Sequence, residues 1–256
     1  MTGARRVRAG TNPEPTAAAV REAAAEAADP ELAVGQAKFF QAHPGGYAEG
    51  DEFIGLRVPR QRAIARRFAG IGPEPVRELL DSPVHEHRLI ALFLLRAEFE
   101  RASQTSDGES ATRPWVDLYL DAVRRGRVNN WDLVDSSADP VLGEYCHRHG
   151  ELDVVLRHAR NEDLWIRRVG VMATFAYIKH GDAQALLAVA PLVRDDRRDL
   201  VQKAFGWMWR EVGKRVDEGI LLDYLEANAA RMGRTALSYA LEHRSPQERV
   251  YYRSLR

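Results

Sequence analysis

A chain of 256 residues, 45% hydrophobic and 29% charged, has the composition of a folded globular protein and can bury a substantial core. Lysine plus arginine and aspartate plus glutamate each number 37, so the chain lacks the strong basicity of many dedicated nucleic-acid domains, although a local basic strip stays open. No apolar run approaches the roughly 20 residues of a membrane span, the first residues do not show the charged, apolar, small-residue succession expected of a secretory signal, and the single Cys146 cannot form an internal disulfide. No membrane is expected as a partner, and a reducing, cytoplasmic location fits best.

Residues 1–15 hold Gly, Pro and Arg with almost no apolar side chain, and are expected to form a disordered arm ahead of a single domain spanning 16–256. Ala17 to Ala28 is alanine-rich and helical by propensity, and a second helix follows in "ELAVGQAKFFQA" before "HPGGYAEGDE" breaks the pattern. From Pro59 onward helical periods succeed one another up to "RTALSYALEHR", with 101–112 ("RASQTSDGESAT") expected as a surface loop. No period-2 strand is convincing, so the expected fold class is all-α. The more apolar helices begin near Trp131, Asp163, Asp199 and Arg234, about 35 residues apart, as in stacked helix-pair repeats. Each pair must bury its apolar face on its neighbours, which lines the second helices up along one curved surface. A helix bundle is the alternative, but it has no need of so many short helices.

Sorting these helices by face at 100° per residue isolates the candidate site. In Asp199 to Arg215, Val201, Phe205, Met208 and Val212 form an apolar stripe with Trp209 beside it, while Lys203, Trp207, Arg210 and Lys214 lie nearly opposite. An indole among cations on the polar side is a platform for a sugar, a base or a cation, with the basic groups meeting phosphates; the bland reading is packing against the next repeat. In "WDLVDSSA", Trp131, Asp135 and Ala138 share one side and Leu133 and Val134 the other. Asp132 reads as an acid favoured by the helix dipole. Asp135 lies too deep for that benefit, and with Trp131 it suits a cationic ligand or a transition state that develops positive charge. Trp165, Val169, Met172 and Ala176 make a core stripe. Arg168, at its edge, should be partly buried and in need of an anion, either a neighbouring repeat's aspartate or a phosphate.

Other chemistry is poorly supported. There is no glycine-rich phosphate cradle and no nucleophile elbow, and Cys146 has no partner constellation. The pairs His85/His87 and His147/His149 point apart on a helix, so they read as surface or interface residues, and neither a metal nor a cofactor is expected.

The segments "VNNWDLVD", "LWIRR", "DLVQKAFGWMWREVGKR" and "MGRTALSYALEH" resemble the AlkD-like DNA alkylation repair family, bacterial glycosylases built of HEAT-like helical repeats. The likeness runs from "FIGLRVPRQRAIAR" to the C-terminus. It implies an α-solenoid with a concave basic surface that binds double-stranded DNA containing alkylated purines, and hydrolysis of the N-glycosidic bond of cationic N3- or N7-alkylated purines, by a protein expected to be a monomer. It also implies that Trp131 and Trp207 flank the lesion, that Asp135 is the catalytic carboxylate and that Arg168 contacts phosphate; Lys203, Arg210 and Lys214, from the face sorting above, are expected as further DNA-binding cations. The wording "NNWDLVD" and "GWMWREVGKR" is closer to a side branch of the family, so a relative acting on bulky adducts and a catalytically silent binding module are the alternatives.

Overall fold

The computed structural model describes residues 15–255. The expected arm at 1–15 falls, as far as residue 14, outside the described residues. The rest is all-α, and strand pairing among the described residues is limited to one parallel bridge between Glu52 and Val84. Helix α1 (Ala17–Ala25) and α2 (Pro30–Phe39) lead into an irregular segment. Then come α3 (Val58–Arg67), α4 (Pro73–Leu80), α5 (His85–Ala102), α6 (Gly108–Arg124) and α7 (Trp131–Ser137). A π-helical segment (Ala138–Gly143) joins α7 to α8 (Glu144–His149). The chain closes with α9 (Leu152–Arg160), α10 (Leu164–Lys179), α11 (Gln184–Val193), α12 (Asp199–Arg215), α13 (Glu218–Asn228), α14 (Arg234–Ala240) and α15 (Pro246–Ser254).

The helices start where side chains can satisfy the free N–H groups of a first turn. Asn130 accepts from Trp131 N, Asp163 from Trp165 N and Ile166 N, and Asp217 from Gly219 N. Helices α3, α5, α7, α10, α12 and α14 each pack against the next and form one file, and α4, α6, α9, α11 and α13 back it. Two glycines let the file close up. A Cβ on Gly143 would meet the Ala173 carbonyl at 2.3 Å, and one on Gly206 would meet the Ala236 carbonyl at 2.2 Å, so α10 and α14 approach their neighbours backbone to backbone. The irregular segment is tied to this file by the buried Glu86, which accepts hydrogen bonds from the backbone of Ile54, Gly55 and Leu56. Among the described residues no helix is long and apolar enough to cross a membrane.

Several local expectations change. The loop foreseen at 101–112 shrinks to 103–107, because α6 begins six residues before Pro114. That proline is tolerated on an exposed face, where the carbonyl it leaves free meets water, and the turn before it is held by Thr112 Oγ1 donating to the Gly108 carbonyl. The helix expected to begin near Trp131 is interrupted by the π segment around Pro140, which has no N–H to donate in an α-helical ladder. Helix α15 was not anticipated, although "SPQE" spells its start: Ser245 and Glu248 form a reciprocal capping box. Of the histidines expected at the surface or at an interface, His85 and His87 are buried, His85 between α5 and α7, and His149 is exposed.

Candidate active site

The apolar stripe of α12 (Val201, Phe205, Met208, Val212) and Trp209 are fully buried, which turns Trp207 to the opposite side, half-buried against Phe175 at 6.0 Å between rings. In α7, Leu133 and Val134 are buried and hold Trp131 and Asp135 outward one turn apart; Ala138, expected beside them, is buried instead, at the start of the π segment, where the α-helical repeat no longer holds. These two faces meet across a groove of about 680 Å³, lined by Trp131, Asp135, Arg168, Lys203 and Trp207 among others. The stripe on α12 does not stay together along its length. Lys203 and Trp207 line this groove, whereas Arg210 and Lys214 line a separate depression with Glu218 and His243.

The groove also contains side chains that periodicity did not point to: Phe39, Gln41, Tyr47, Arg198 and Tyr239. Phe39, 64% exposed, meets Trp131 edge to face at 6.0 Å between centroids, and Phe40 stacks on Trp131 at 5.4 Å. Tyr47 contacts the edge of Trp165, which is half-buried rather than in the core. The adjacent phenylalanines in "KFFQ" were a usable signal, since one helix face cannot bury both.

Asp135 is clamped. Arg168, 4% exposed, donates from Nε to Asp135 Oδ1 at 3.0 Å and from Nη2 to Oδ2 at 2.8 Å, while its Nη1 donates to the Leu200 carbonyl. The anion that Arg168 needed is therefore internal, and the bidentate fork fixes the orientation of the carboxylate. Burial pushes Asp135 above the usual carboxylate range; the Arg168 charge and hydrogen bonds oppose this, and nearby Asp132 and Asp139 add to it. A carboxylate that water solvates poorly attracts an arriving positive charge more strongly.

The cations of the groove are all paired. Arg198 binds Asp196 and Lys203 binds Asp199 at 2.6 Å, and outside the groove Arg210 binds Glu211 and Glu242. Lys214 is exposed and forms no ion pair among the described residues. The groove is thus a mosaic of ion pairs, and not the basic strip expected of it. Behind Trp131 lies a second network. His85, 1% exposed, bridges Asp132 Oδ2 at 2.9 Å and Asp51 Oδ2 at 3.2 Å, and Arg88 also binds Asp51. Burial works against the charged imidazole, but hydrogen bonds to Asp132 and Asp51 outweigh it and raise His85 to about 9. Asp132 therefore does more than meet the helix dipole: it fastens the start of α7 to α5. Among the described residues no three His, Cys, Asp or Glu side chains are gathered in a way that would hold a metal ion.

Comparison with known proteins bears on this groove. A search of curated proteins found no match. The fold is similar to that of a solved structure described as a predicted DNA alkylation repair enzyme from Enterococcus faecalis, at 18% identity and a TM-score of 0.53, over 86% of this chain and 97% of that one. The family model of the DNA alkylation repair enzymes matches residues 20–243, which takes in α7, α10 and α12 and every residue of the groove. The chain therefore belongs to the DNA alkylation repair enzyme family.

Proposed function

We propose that this chain is a DNA glycosylase that hydrolyses the N-glycosidic bond of cationic N3- or N7-alkylated purines in duplex DNA. The observation that carries the reading is the convergence of Trp131, Asp135 and Trp207 on one groove. An alkylated purine already carries a positive charge and leaves as a neutral base, so the enzyme's task falls on the sugar. As the C1′–N bond lengthens, positive charge passes to the sugar, and the Asp135 carboxylate stabilises that charge electrostatically. Water then adds to C1′ and releases a proton, which Asp135 accepts. Trp131 and Trp207 hold the sugar between aromatic faces through cation–π and C–H contacts.

In this reading Arg168 first of all positions Asp135, and its remaining N–H groups at the groove wall are those that a phosphate oxygen meets. Lys203 turns from Asp199 to a phosphate when DNA arrives, an exchange that costs little because exposed ion pairs contribute about 1 kcal/mol or less. Arg210 and Lys214, on the neighbouring depression, meet the backbone further along the duplex. In this reading the enzyme acts on a nucleotide lying in the groove, without drawing an extruded base into a deep pocket.

The test is to incubate methylated duplex DNA with the protein and measure free 3-methyladenine and 7-methylguanine by mass spectrometry. Release of either base is the expected result. Excision from duplexes bearing bulky adducts, with none from methylated DNA, assigns the groove to bulky lesions instead; release from neither substrate contradicts the glycosylase reading.

A further inference from the structure

We infer that α3 is a docking surface for the phosphate backbone of duplex DNA. The helix and the residue before it carry Arg57, Arg60, Arg62, Arg66 and Arg67, all exposed. None of the five forms an ion pair with a carboxylate among the described residues, whereas Arg168, Arg198, Lys203, Arg210 and Arg96 each have an acidic partner. Other cations, Lys214, Arg157 and Arg160 among them, also form no ion pair among the described residues, but no other helix gathers as many of them.

The arrangement works against the helix that carries it. Arg62 and Arg66 are one turn apart and repel each other. Arg57 and Arg60 sit at the N-terminal end, where the helix dipole disfavours cations, so capping explains only Arg66 and Arg67 in the last turn. A solvated polar face gains nothing from this clustering. A polyanion laid along Arg62 and Arg66 relieves their mutual repulsion. From Arg62 to Arg66 the helix rises about 6 Å, enough to meet about two successive phosphates of one strand.

The location identifies the polyanion. Val58 and Arg62 of α3 border a depression of about 300 Å³ whose other wall is made by Trp131, Asp132 and Asp135. The arginine face therefore starts at the back of the residues that face the groove, with Arg62 held 5.2 Å from the ring of Phe93. Arg66 follows one turn on, on the same side of the helix. A strand whose sugar lies at Asp135 continues onto α3. The choice of DNA over another polyanion rests on the function proposed for the groove.

The experiment measures binding of the full chain to a short undamaged duplex as a function of salt, for wild type and the double variant R62Q/R66Q. Both side chains are exposed and without acidic partners, so the fold should tolerate the change. The slope of log K against log salt should fall by about 1.8 in R62Q/R66Q, about 0.9 for each phosphate that is no longer neutralised. R62K/R66K should restore it, and the charge-matched control R157Q/R160Q on α9 should leave it unchanged. An unchanged slope in R62Q/R66Q, an equal loss in the α9 control, or a wild type that binds no duplex overturns the inference. So does α3-dependent binding to phosphatidylserine vesicles that is tighter than binding to DNA. Base release from methylated DNA is scored separately: wild-type release with no effect of R62Q/R66Q on the slope sinks α3 and leaves the groove chemistry standing. Loss of slope in R62Q/R66Q without wild-type release does the reverse.

Discussion

Gln41 is the one non-glycine residue among the described residues with a positive φ, at 56°. It closes α2 in the position a glycine usually takes: Gln41 N donates to the Lys38 carbonyl and Ala42 N to the Ala37 carbonyl, the two bonds of a Schellman motif. A side chain there costs about 1 kcal/mol relative to glycine, and its place on the groove wall suggests why it is kept. Gln41→Gly should therefore raise stability by about 1 kcal/mol in urea unfolding; a loss of stability would mean that the glutamine side chain holds the turn. At this scale the sequence was informative wherever one helix carried the whole relation. Trp131 and Asp135 are four residues apart, so their shared side follows from the helical repeat alone. Trp207 faces out because Trp209 and the apolar stripe occupy the inside. Gln41, Tyr47 and Tyr239 were illegible, since they reach the groove from the irregular segment and from α14, and no periodicity relates those segments to α7 or α12. The pairing of cations was hidden for the same reason. Periodicity assigns Arg210 to a face, but Glu242, which neutralises it, comes from beyond α14.

At the level of elements, the position of α7 depends on His85. Its imidazole joins α7, through Asp132, to α5 and to Asp51 of the irregular segment, and it stacks on Phe40 and Phe53 at 4.8 Å. A histidine held at about 9 when folded, against an ordinary value of 6.5, binds its proton more tightly in the native state. The stabilisation is complete below pH 6.5 and drains as the pH rises through 9, a loss of about 3 kcal/mol over the window. The midpoint of thermal unfolding should fall between pH 6.5 and 9 in wild type and stay flat in His85→Gln; equal pH profiles for the two would remove His85 from the account. Most of the helices were legible because amphipathic periods and capping residues mark them. The early start of α6 was not, because the stretch before Pro114 has no apolar face to announce it. The π segment was also hidden, since Pro140 signals that a ladder breaks without saying how the chain repairs it.

Across the molecule, buried apolar residues form one continuous cluster that runs from Ala17 in α1 to Tyr252 in α15. We propose on that basis that residues 16–256 fold as a single domain, and calorimetry should show one cooperative transition; two resolved transitions would divide it. The neutral overall charge pointed away from nucleic acid, and it misled because it averages over a surface on which most cations are paired while those of α3 are not. The central claim is that one groove carries hydrolysis of a glycosidic bond and that Asp135 supplies the decisive charge. The single-turnover rate of base release from methylated duplex, compared between wild type and Asp135→Asn protein shown to be folded by circular dichroism, tests it most directly. A rate lower by about 100-fold or more in Asp135→Asn is the predicted result; equal rates in the two proteins would contradict the account.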